Sequence, residues 1–94
     1  MRRNFGPIYV YALIDPIDLS IFYIGVSIDP KTRMQSHRCD PASAAYETIQ
    51  GLKRIGFDAD VVVLSKHTSR RSAEHHERIL ISALPGLVNR QRRF

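Results

Sequence analysis

Seven side chains in this sequence, Tyr9, Tyr11, Tyr23, Arg33, His37, Glu77 and Asn89, are of types that suit hydrolysis of a phosphodiester. That reaction needs an activated water, stabilisation of charge on five-coordinate phosphorus and help for the departing oxygen. A guanidinium can grip the non-bridging phosphate oxygens in a two-pronged contact, the task open to Arg33. One carboxylate, Glu77, can hold a divalent cation. Mg2+ (or Mn2+) fits so sparse a ligand set because Mg2+ keeps several waters. A phenol titrates near ~10, so a tyrosine acts as a base only beside a positive field or a proton acceptor. Arg33 and the metal offer the field; His37 offers the acceptor. Taken singly, each residue has a plainer reading. The tyrosines are half-buried hairpin aromatics, His37 a surface helix residue, Asn89 a turn former or loop brace, and Glu77 an ion-pair partner of Arg33 or Arg70.

The elements that must position these groups follow from pattern. Ile8-Tyr9-Val10-Tyr11-Ala12-Leu13-Ile14 is β-branched and aromatic and ends at Asp15-Pro16, which makes it a strand closed by a turn. Ile21-Phe22-Tyr23-Ile24-Gly25-Val26 returns beside it as an antiparallel partner, with Gly25 permitting a close backbone approach or a bulge. Asp29-Pro30 reads as N-cap and first helical position. Arg33 and His37 then lie four apart on one helix face, with Met34 turned toward the core. A second helix is expected from about Pro41 to Ile55, stopped by Gly56. Asp60-Val61-Val62-Val63-Leu64-Ser65 is a third strand, and its unbroken apolar run predicts a central place in the sheet with both faces covered. Thr68 or Ser69 caps a last helix to about Leu84, after which Pro85-Gly86 turns the chain toward Asn89. The expected fold class is α/β, a small, mainly antiparallel three-stranded sheet flanked by helices.

On the last helix, Ala73, Leu80, Leu84 and Ile81 form one apolar stripe with Glu77 near its middle, at ~100° per residue. A carboxylate there is costly unless a cation, a metal or several donors meet it. Nearby His75-His76, with His67, do not read as a zinc site. Adjacent helical histidines point ~100° apart, and the single cysteine, Cys39, adds no second thiol.

The order and spacing of these residues resemble the GIY-YIG nuclease domain family. Tyr23-Ile24-Gly25 matches its second motif literally; Tyr9-Val10-Tyr11 stands in for Gly-Ile-Tyr. Connection length places the first-motif tyrosine at Tyr11, with Tyr9 as the alternate. Arg33 falls at the helix arginine, His37 one turn later, Glu77 at the late-helix glutamate and Asn89 at the asparagine beyond it, so the likeness runs from about Ile8 to Asn89. It implies a hydrolase, a metal-dependent endonuclease acting on DNA ahead of RNA. It further implies Tyr11 as general base, Tyr23 orienting water or phosphate, Glu77 as the magnesium ligand, and Asn89 tying the tail to the site or binding phosphate.

The chain is long enough for one core and short for two, so residues 1-94 are read as a single domain. A net charge of +5, carried mostly by arginine, favours a polyanionic partner. Arg2, Arg3, Arg90, Arg92 and Arg93 are candidates for a clamp tracking the nucleic-acid backbone. A lone cysteine excludes an intramolecular disulfide, and no apolar run is long enough to span a bilayer. The expectation is therefore an intracellular protein, cytoplasmic or nucleoid-associated. A homodimer or a separate specificity subunit stays open. The alternative is a catalytically silent nucleic-acid-binding or adaptor module of the same fold, and a third reading is a small interaction protein with a merely solubilising tail.

Overall fold

The apolar, β-branched first segment forms the middle of the sheet. In a computed structural model describing residues 6–89, the elements are β1 (Ile8–Ile14), β2 (Ile21–Ser27), α1 (Pro30–Cys39), α2 (Tyr46–Arg54), β3 (Asp60–His67) and α3 (Arg70–Ala83). The strand order is β2-β1-β3, and both pairings are antiparallel. Strand alternation sends Tyr11 and Leu13 to one face, where they pack with Met34 of α1 and with Ile49 and Leu52 of α2. Ile8, Val10 and Ala12 go to the other face, against Ala73 of α3 and Leu87.

Three expectations are corrected. β3 is an edge strand rather than the central one, and Val62, Val63 and Leu64 remain 42%, 51% and 39% exposed. Val61, Val62 and Val63 pair in regular register with Leu13, Ala12 and Tyr11, and a bulge follows opposite Val10/Tyr11; the apolar run is not covered on both faces. The second helix starts at Tyr46 rather than Pro41, since Asp40 captures the next amides: its carboxylate accepts from Ala42 N–H at 2.9 Å and its carbonyl from Ser43 N–H at 2.9 Å. The plainer reading of His37 as a surface helix residue also fails, since on α1 it is buried with Met34 and Pro30.

Other local signals hold. Asp29 caps α1 by accepting from Thr32 N–H, with Pro30 at its start. Ser69 caps α3. Gly86, at φ 74°, occupies the left-handed region that the turn toward Asn89 requires. Among the described residues, no helix is long and apolar enough to cross a membrane.

Candidate active site

Tyr11 projects from the central strand and is 1% exposed, and its cross-strand neighbour on β2 is Gly25. The tyrosine ring lies over that glycine. A Cβ at position 25 would stand 2.5 Å from the Tyr11 Oη and 2.6 Å from its Cζ. The close approach expected at Gly25 is thus made by a side chain, and the β1–β2 irregularity falls instead between Leu13 and Ile14. The glycine of Tyr23-Ile24-Gly25 clears the space in which Tyr11 reaches α1.

There the Tyr11 hydroxyl is 2.8 Å from Nε2 of His37, and Nδ1 of His37 is 2.6 Å from Oγ of Ser43. With Nδ1–H donating to Ser43, Nε2 is left to accept from the tyrosine. Ser43 Oγ also accepts from the Ala45 N–H at 3.1 Å, which fixes it in the loop before α2. Tyr23 completes the group, with its ring edge-on to His37 at 4.5 Å and 6.2 Å from Tyr11 between centroids. Tyr23, Arg33, Ser36, His37 and Ser43 line a polar pocket of about 200 Å³, a size suited to a phosphate and its water.

Burial sets the protonation states. It pushes the Tyr11 hydroxyl well above the usual phenol range; the neighbouring Tyr23 adds to the rise, while the Arg33 guanidinium opposes it. Burial also pulls His37 down to about 4, with Arg33 reinforcing the shift. At neutral pH the pair is a neutral phenol against a neutral imidazole. A simple handover from Tyr11 to His37 therefore runs against both shifts.

Glu77 enters from α3, whose Ala73 packs against Val10 and Ala12. It is half-buried, and burial raises its carboxyl above the ordinary range; Glu74 repels it further, and Arg78 and Arg70 pull the other way. Neither ion-pair partner expected from the sequence engages it: Arg70 pairs with Glu74 at 3.5 Å, and among the described residues Glu77 forms no salt bridge with Arg33. A half-buried carboxylate with no ion pair among the described residues suits a hard divalent ion such as Mg2+, which keeps several waters and needs few protein ligands. Among the described residues no three His, Cys, Asp or Glu cluster to cage a metal.

Asn89 reaches back over 65 residues to donate from Nδ2 to the Ile24 carbonyl at 2.7 Å. Ile24 lies between Tyr23 and Gly25 on edge strand β2, so this bond braces the second motif from its open side. Among the described residues, Asn89 Oδ1 is buried without a partner. Tyr9 shares the sheet face of Tyr11 but lines a separate apolar groove with Ile28, Pro30, Val61 and Val63; it is Tyr11 that meets His37. Arg2, Arg3, Arg90, Arg92 and Arg93 lie outside the described residues.

The sequence reading missed Ser43, which it absorbed into a helix, and the Arg38–Asp58 pair at 2.9 Å that ties α1 to the approach to β3. The Asp40-Pro41 turn was the available signal for Ser43, because a helix start delayed by that turn leaves a serine hydroxyl beside the end of α1.

Two antiparallel strands that cross a tyrosine over a glycine beneath a helix carrying arginine and histidine define a small α/β domain built around an anion-sized polar pocket. A family model described as the GIY-YIG catalytic domain matches residues 7–85, and the chain belongs to that family. GIY-YIG domains are nuclease-type domains that act on nucleic acid. Neither the search of curated proteins nor that of solved structures returns a match.

Proposed function

We propose that this chain is a metal-dependent endonuclease that hydrolyses phosphodiester bonds in DNA. The observation that carries the reading is the buried line from Tyr11 through His37 to Ser43, opening on a polar pocket beside Arg33.

The line suggests how a phenol of raised pKa could take a proton from water. As Tyr11 gives its proton to Nε2 of His37, the imidazole passes the one on Nδ1 to Ser43 Oγ, and Ser43 releases its own hydroxyl proton to water in the pocket that it lines. His37 changes tautomer without becoming an imidazolium, so its lowered pKa is not an obstacle. The tyrosinate then accepts a proton from the attacking water as its oxygen bonds to phosphorus and the bond from phosphorus to the leaving oxygen breaks, the leaving oxygen taking up the proton released into the pocket water. Arg33 meets the charge that builds on the non-bridging oxygens, where it contributes more in the transition state than in the ground state. Glu77 would hold Mg2+ (or Mn2+), which when bound supplies positive charge to the phosphate and the leaving oxygen. Tyr23 orients water or phosphate, and Asn89 holds the strand that carries it. The terminal arginines track the DNA backbone.

The alternative is a catalytically silent nucleic-acid-binding or adaptor module of the same fold. Supercoiled plasmid incubated with Mg2+ or with EDTA separates the readings. Nicking that the chelator abolishes supports the enzyme; metal-independent binding without cutting supports the module.

A further inference from the structure

Away from the tyrosine cluster, edge strand β3 and helix α3 bring together four side chains that the proposed chemistry does not use. Ser65 Oγ lies 2.8 Å from Nε2 of His67 and 2.8 Å from Nδ1 of His76. The two rings are 5.5 Å apart between centroids, inclined at 51°. The other ring nitrogen of His67, Nδ1, is 2.7 Å from Ser72 Oγ. Adjacent His75 and His76 do diverge on the helix, as the sequence implies, but the partner of His76 comes from the strand.

From this arrangement we infer a binding site for one imidazole-seeking transition-metal ion, such as Zn2+, Cu2+ or Ni2+, held by His67 Nε2 and His76 Nδ1. Two nitrogens from different elements already converge on one point, now filled by a hydroxyl. A hydroxyl has one proton, so it can donate to only one of the two; the other imidazole spends an N–H on it. A metal ion accepts both lone pairs at once. Zinc–nitrogen bonds are ~2.0–2.1 Å, so each ring closes by roughly 0.7 Å from its present 2.8 Å while the serine rotates away. With Nδ1–H of His67 donating to Ser72 Oγ, the bond between them is the outer contact that fixes a ligating imidazole's tautomer and leaves Nε2 free to bind. Ser65, His67 and His76 are only partly buried, so water can fill the remaining coordination positions. Imidazole ligands select these ions over Mg2+, which prefers oxygen. The site is thus distinct in chemistry from the magnesium site proposed at Glu77, and it would staple α3 to the open strand.

Calorimetric titration of the full chain with Zn2+, in excess Mg2+, tests this inference. One ion should bind per chain, with affinity falling at least tenfold in His67→Gln and in His76→Gln and unchanged in His75→Gln and Cys39→Ser. The Cu2+ form should show two coupled imidazole nitrogens by electron paramagnetic resonance. Should the histidine variants unfold, Ser65→Ala decides: the missing hydroxyl leaves both nitrogens free, so zinc should bind at least as tightly as to the wild type. No saturable binding, binding indifferent to both histidines, or weaker binding by Ser65→Ala would overturn the assignment.

Discussion

Replacing Gly25 with alanine tests the central contact of the fold and site together. In an extended strand, Gly→Ala ordinarily stabilises by about 0.4–1 kcal/mol, because the unfolded chain loses freedom. Here the added Cβ would meet Tyr11 at 2.5 Å from Oη, 2.6 Å from Cζ and 2.9 Å from Cε2. The ring is buried and its hydroxyl is engaged by His37, so it cannot swing into solvent without loss. Overpacking of this kind costs about 1–3 kcal/mol, and separating the buried hydroxyl from the imidazole costs about 1–3 kcal/mol more. Gly25→Ala should therefore lower the melting temperature by roughly 10 °C or more, at about 4–8 °C per kcal/mol for a domain of this size. Thermal unfolding followed by circular dichroism measures the effect. A double-mutant cycle assigns it: in a Tyr11→Leu background the alanine should be nearly harmless, with a coupling of about 1–3 kcal/mol. An unchanged or raised melting temperature for Gly25→Ala would refute the argument that this glycine exists to admit the tyrosine.

Tyr11→Phe should cut plasmid far more slowly than Tyr9→Phe, since only Tyr11 reaches His37; the reverse ranking in a nicking time course would move the base role to Tyr9. His37 titrates at about 4 in the folded chain against an ordinary 6.5. Between these values the unfolded chain binds a proton that the folded chain does not, so stability present above the higher value is lost as pH falls through the window. His37→Gln should remove this part of the acid slope in urea melts, and parallel profiles would contradict the assignment. Glu77 has the opposite sign: its raised value means that ionisation weakens the fold as pH rises. Glu77→Gln should thus melt no lower than wild type at neutral pH while losing Mg2+ binding by calorimetry; lower stability would mark a structural ion pair instead.

How much of this was legible in the sequence depended on whether the signal was local. Asp29-Pro30, Ser69 and Pro85-Gly86 act on their own backbone, and the elements begin and turn where those residues dictate. The antiparallel pairing of β1 with β2 followed from two apolar runs joined by a proline-containing connection, whereas the register that puts Tyr11 opposite Gly25 came from the structure. Strand order did not, because Val61-Val62-Val63-Leu64 has the same composition at an edge as at a centre. Only the helices that leave Val63 half exposed decide between them. Within the site, four-residue spacing correctly put Arg33 and His37 on one helix. The buried line through Ser43 and the meeting of His67 with His76 depend on loops and partners distant in sequence, which periodicity does not encode.

The most direct test of the nuclease account is the single-turnover cleavage rate at saturating supercoiled DNA in Mg2+, measured for the wild type and for Arg33→Ala. Saturation removes differences in binding, so the rate reports the interaction made as charge builds on the phosphate. The account predicts metal-dependent cleavage by the wild type, abolished by EDTA, and a strongly depressed rate in Arg33→Ala with the DNA still bound. Cleavage that proceeds at equal rates in both proteins, or DNA that is bound and never cut in Mg2+ or Mn2+, would contradict it.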